Sequence, residues 1–160
     1  MASYDSTRLR RLTIIYNVVQ VGLLGLLMFM AYNFMLAFAK YGMSGLFVKS
    51  FIMAVTVQLI CMYPAWWLAR KDVEVEVETS LVGVTPDQLL ALRRRRLIGD
   101  IWKISALGAF VVFVYMSPSV EKGRGASLIL SVSYYSFLLV ALTYFQSFNF
   151  ITKRRRKELA

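Results

Sequence analysis

From Leu12 to Ala39 the chain runs 28 residues without a charged side chain, and Ser50 to Ala69, Ile104 to Val120, and Leu128 towards Thr152 are free of charge as well. A helix crosses the hydrocarbon core of a bilayer with about 20 apolar residues. Burying four such stretches in water would take more surrounding protein than a chain of 160 residues, 58% of them hydrophobic, possesses. The sequence therefore predicts an all-α integral membrane protein: a single membrane domain forming a four-transmembrane-helix bundle. Its spans fall at about 12–39, 47–69, 100–118 and 126–151, and residues 70–99 form an insert between the second and third. As a helix the first stretch extends about 42 Å, more than the roughly 30 Å of hydrocarbon, so it must tilt or project. The last is nearly as long, whereas the middle two are close to the minimum.

Basic residues orient this bundle. Of the 19 Lys and Arg, 15 precede the first span, lie between the second and third, or follow the fourth; only Lys40, Lys49, Lys122 and Arg124 fall on the other side. By the positive-inside rule both termini and the insert are cytoplasmic, and a bacterial inner (plasma) membrane is the expected location. Ala37 and Ala39 mimic a signal-peptidase site, but the apolar run before them is far longer than the about 7 to 15 residues of a signal peptide. An uncleaved anchor is expected.

Polar residues within the spans read first as packing. Asn17, Gln20 and Asn33, with Gly22 and Gly25, suit contacts between neighbouring helices in the first span, as do Ser105, Gly108 and Ala109 in the third. Ser127, Ser131, Tyr134, Tyr135 and Leu138 fall on neighbouring turns of the fourth. Trp66 and Trp67, followed by Arg70 and Lys71, mark a membrane interface, with Pro64 loosening the helix just before it. Cys61, the one cysteine, acts as a small apolar residue.

The insert carries the most unusual pattern. Between Asp72 and Glu78 alternation is strict, so an extended strand would set Asp72, Glu74, Glu76 and Glu78 on one face and Val73, Val75 and Val77 on the other. A small cytoplasmic β-strand is expected, or a hairpin if Leu81 to Val84 returns. A lone strand is unstable in water, so this one should pair with a second copy, a partner protein or the cytoplasmic helix ends. Thr85 then caps a helix, with Pro86 at its first position and Gln88 completing a T-x-x-Q capping box. That basic amphipathic helix runs through Arg93, Arg94, Arg95 and Arg96 into the third span, where Asp100 and Lys103 can pair. Successive arginines spread around a helix by 100° each. They suit anionic lipid or an acidic partner, including the Glu74 to Glu78 face, better than one bound ligand.

Missing chemistry narrows the function. The chain has no histidine, which excludes bis-histidine haem ligation and histidine-based triads or proton relays. No carboxylate lies deep within a span, which disfavours proton coupling. No cofactor, metal site or catalytic constellation is expected, and no nucleic-acid-binding fold accompanies the arginines. The expected function is a non-catalytic membrane subunit or scaffold, assembling with itself or with another membrane protein through residues 72–78 and the basic helix. The alternative is an oligomeric channel or transporter for a small solute, lipid or ion, with Asn17, Gln20, Asn33, Ser131, Tyr134, Tyr135 and Gln146 lining its path.

Overall fold

The structure, a computed structural model, describes residues 6–80, 85–116 and 124–159. The described residues form four helices: α1 (Ser6–Lys40), α2 (Ser44–Thr79), α3 (Pro86–Met116) and α4 (Arg124–Leu159). Three are long and apolar enough to cross a membrane, over Leu9–Lys40, Ser44–Thr79 and Ser127–Glu158. The third helix carries Arg93 to Arg96, Asp100 and Lys103 in its first half.

The expected strand is absent: residues 72–78 are the last turns of α2, which runs 36 residues without a break, about 54 Å. Among the described residues there is no strand at all, and the return segment Leu81 to Val84 lies outside them. Extending an existing helix avoids the cost of nucleation, and tertiary contacts favour the helical register. Ala65, Ala69, Val73 and Val77 recur every four residues; Ala69 and Val73 are fully buried with Phe148 of α4, and Val77 packs against them. On the outer side Arg70 and Glu74 pair across one turn at 2.9 Å. A strand would have set Val73, Val75 and Val77 alike. On the helix only Val73 is fully buried.

The α2 and α4 helices form the principal pair; α1 packs mainly on α4, and α3 is held chiefly by α2. Small side chains permit the close α2–α4 approach: Ser50, Ala54, Ala65 and Ala69 on α2 and Ser127 and Ser131 on α4 are buried. Gln58 donates to Thr143 across this seam at 3.0 Å. One apolar cluster joins Leu27, Phe34 and Phe38 of α1, Ala54 of α2, and Tyr135 and Leu138 of α4. A second, towards the basic end, joins Ala69, Val73 and Phe148, with Tyr16 and Tyr144 packed against it.

Local signals set the helix ends. Gly42, at φ 66°, terminates α1: its N–H reaches Ala39 O at 3.1 Å and that of Met43 reaches Phe38 O at 2.7 Å, a Schellman arrangement. The capping box that opens α3 is formed reciprocally, Thr85 N to Gln88 Oε1 at 3.2 Å and Gln88 N to Thr85 Oγ1 at 3.4 Å. Pro64 does not end α2, which continues to Thr79. Beyond it Arg70 lies over Trp66 and Lys71 over Trp67, 5.7 and 3.7 Å from the ring centres.

Candidate functional site

Because α2 stays helical past Arg70, Asp72 and Glu76 lie one turn apart and face α3. There the heptad-like series Leu89, Leu92, Arg96, Gly99, Lys103 and Phe110 forms the half-buried to buried seam of α3, while most of the rest of that helix is exposed. Seam and carboxylates meet in a chain of charges. Arg96 Nε lies 3.1 Å from Glu76 Oε1 and 3.7 Å from Asp100 Oδ2. Lys103 Nζ lies 3.5 Å from Asp100 Oδ1 and 2.7 Å from Asp72 Oδ2. The Tyr144 hydroxyl of α4 donates to the same Asp72 oxygen, and Lys103 stands over the Tyr144 ring at 5.4 Å.

The order Glu76, Arg96, Asp100, Lys103, Asp72 alternates in sign, so each inner member lies between opposite charges. Exposure sets what these contacts are worth. The Glu76 side chain is 8% exposed and that of Asp72 24%, so their charges are screened far less than those of a surface pair. A Cβ at Gly99 would sit 3.4 Å from Asp72 Oδ1, an ordinary contact. Behind the ions, Tyr16 of α1 packs edge-on to Phe145 at 5.1 Å and against Phe148 at 4.5 Å. At the other end of α3, Phe110 stacks on Phe137 of α4 at 3.9 Å and 6°. The arrangement is a latch: it holds α3 against α2 and α4 by two cations, three carboxylates and one phenol. Among the described residues no group of three or more His, Cys, Asp or Glu converges on a metal position.

Residues 72–78, expected as a strand offered to a partner, are thus largely committed within the chain. Asp72 and Glu76 serve the latch, Val73 is in the core, and Glu74 holds Arg70. Of the four arginines only Arg96 turns inward. Arg93, Arg94 and Arg95 are exposed and enter no ion pair among the described residues. The expected Asp100 to Lys103 pair is present, whereas the contacts of Asp72 with Lys103 and Tyr144 join positions too distant in sequence to have been foreseen.

The seven candidate pathway residues are scattered. Asn17 and Gln20 accept hydrogen bonds from Asn149 Nδ2 at 2.7 and 3.3 Å. Asn33 is exposed and bonds its own helix at Phe29 O. Ser131 is buried and bonds Leu128 O, and Tyr135 is sealed among Phe34, Phe47 and Phe51. Tyr134 packs on Phe34 and Phe110, and Gln146 is exposed. The small-residue faces also differ from expectation. Ser105, Gly108 and Ala109 are exposed, and nothing lies within 4 Å of a Cβ built at Gly22, Gly25 or Gly108.

Fold and site together define a helical protein of membrane-spanning character with an internal ionic latch. No known protein family, curated protein or solved structure matches the chain, so its function has to be argued from these residues alone.

Proposed function

We propose that the chain is a non-catalytic subunit of a membrane assembly, and that α3 is the surface through which it joins a second copy or another membrane protein. In this reading α3 also crosses the membrane, as the third of four spans, its charge-free part from Ile104 onward lying in the bilayer. Both termini and the latch face the cytoplasm of a bacterial inner membrane, and Arg93, Arg94 and Arg95 contact anionic lipid or an acidic partner.

The observation that carries the reading is the narrow attachment of α3. Latch and aromatic stack occupy one seam, while Trp102, Ile104 and Tyr115 are 74%, 69% and 90% exposed and Ser105, Gly108 and Ala109 leave a small-residue surface uncovered. Lipid covers apolar side chains as readily as protein does. Small residues, in contrast, let another helix backbone come close, and helix association in membranes depends on such packing.

The test is native mass spectrometry of the gently extracted protein, comparing wild type with Gly108→Leu and Ala109→Leu. The expected result is a stoichiometric complex for wild type and its loss in both variants, with helical content unchanged. A wild-type protein that remains monomeric in every mild detergent, or variants that keep the same complex, would refute it.

A further inference from the structure

Between α1 and α4, at the basic end, lies a cleft of about 330 Å³ lined by Thr13 and Asn17 of α1 and by Asn149, Thr152, Lys153 and Arg156 of α4, with Phe150 at its edge. That volume falls at the lower end of the range of small-molecule sites, about 300 to 1,000 Å³. The α4 residues recur at i, i+3, i+4 and i+7, so one helix face builds that wall.

Its charges are distributed selectively. Within the run Lys153 to Lys157, Arg154 and Arg155 are neutralised by Glu158, at 3.1 and 3.2 Å. Lys153 and Arg156 line the cleft and enter no ion pair among the described residues. Two polar atoms on the same wall are buried without a hydrogen-bond partner among the described residues, Thr152 Oγ1 and Asn149 Oδ1, and Thr152 is only 2% exposed. Thr13 has already donated its hydroxyl proton to Leu9 O at 2.9 Å, and the Asn149 amide nitrogen donates to Asn17 and Gln20. The cleft therefore offers two cations, one hydroxyl and oxygen acceptors in want of a donor. A bare anion would meet the cations and leave Asn149 Oδ1 unsatisfied. A phosphodiester bearing a hydroxylated group would meet both.

The same two helices continue into apolar surface, with Ile14, Val18, Val21 and Phe150 exposed by 54%, 67%, 71% and 66%. A ligand with a polar headgroup and acyl chains would find a place for each part. The geometry points to a binding site for one anionic glycerophospholipid with a hydroxylated headgroup, of which phosphatidylglycerol is the simplest probe. The site is built from α1 and α4, whereas the exposed arginines belong to α3, and it does not depend on the assembly reading.

The test is native mass spectrometry of the full chain, with phosphatidylglycerol and phosphatidylcholine supplied in equal amounts. Wild type should retain one phosphatidylglycerol in preference. Lys153→Ala/Arg156→Ala should lower that retention about thirtyfold, the combined loss of two basic contacts at a membrane surface. Arg154→Ala/Arg155→Ala, which removes the same formal charge, should stay within about twofold of wild type. Thr152→Val, nearly isosteric, should weaken retention several-fold and guards against misfolding of the double variant. Glycerophosphoglycerol without acyl chains, at millimolar concentration, should fail to displace the lipid. Equal retention of the two lipids by wild type, or equal losses in the two double variants, would overturn the proposal. Displacement by the soluble diester would overturn the lipid assignment in favour of a soluble phosphodiester.

Discussion

Replacing Asp72 by Asn preserves the shape of the side chain and removes the charge that faces Lys103 Nζ at 2.7 Å. The magnitude follows from where the pair sits. A fully exposed ion pair is worth about 0 to 1 kcal/mol, and breaking a buried one costs about 3 to 5 kcal/mol because the surviving charge is stranded. Asp72 is 24% exposed and Lys103 38%, so screening of Lys103 places the cost between the two, at about 2 kcal/mol. That corresponds to about a thirtyfold rise in the undocked population of α3. Once undocked, the polar first half of α3 is a solvated single helix of marginal stability and frays. Hydrogen exchange at the amides of residues 89–99 should therefore accelerate about thirtyfold, with exchange in the middle of α4 unchanged. Lys103→Met and the double variant complete a cycle, and the coupling should be about 1 to 2 kcal/mol. Additivity to within about 0.5 kcal/mol, or unchanged exchange at residues 89–99, would show that the pair does not hold α3.

Val73→Ala should destabilise the protein by about 1 to 3 kcal/mol in reversible unfolding, and Val75→Ala by less than half of that; equal effects would restore the strand, on which the two share a face. Gln58→Leu should cost about 0.6 kcal/mol, a typical hydrogen bond between membrane helices, and a loss above about 2 kcal/mol in denaturant titration would give Gln58 another role. Gly99→Ala should be neutral or stabilise α3 by up to about 1 kcal/mol, since a Cβ there makes only ordinary contact with Asp72. Gly99→Leu should undock α3, read by the same exchange measurement, and the reasoning fails if the two substitutions behave alike. Thr85→Ala should fray the first turn of α3 at a cost of about 1 kcal/mol, visible as faster exchange at residues 88–90 alone.

What the sequence made legible was local. The capping box at Thr85, the continuation of α3 through the arginines and the Asp100 to Lys103 pair involve residues three or four apart, or one unbroken run, and all are formed. The alternation over 72–78 is consistent with a helix as well as with a strand. Val73 and Val77 share one helical face, and Asp72 and Glu76 share another. What separates the readings is the partners: Phe148, Tyr144, Arg96 and Lys103, all at least 20 residues away and supplied by packing alone. The cleft is hidden in the sequence for a different reason. Asn149, Thr152, Lys153 and Arg156 do carry a helical signature in sequence, but it is split between the end of an apolar span and the start of a basic run. A reading that treats those as separate segments does not see one face.

The continuity of α2 has a mechanical consequence. Met43, at its start, and Asp72 are about 44 Å apart along one helix, so α2 can act as a beam rather than a chain of jointed pieces. A tilt of about 5° about the Met43 end would carry Asp72 sideways by about 4 Å, several times the length over which a hydrogen bond tolerates stretching. The third helix must then travel with the beam or let go of it. Its grip on α2 is ionic, whereas its contacts with α4 are Phe110 on Phe137 and Tyr134 and Lys103 over the Tyr144 ring, so the contacts with α4 are the more easily slid. Tilting of α2 would be converted into displacement of the exposed arginines of α3, so that leverage, rather than any change of shape in the helices themselves, would link the two ends of the bundle.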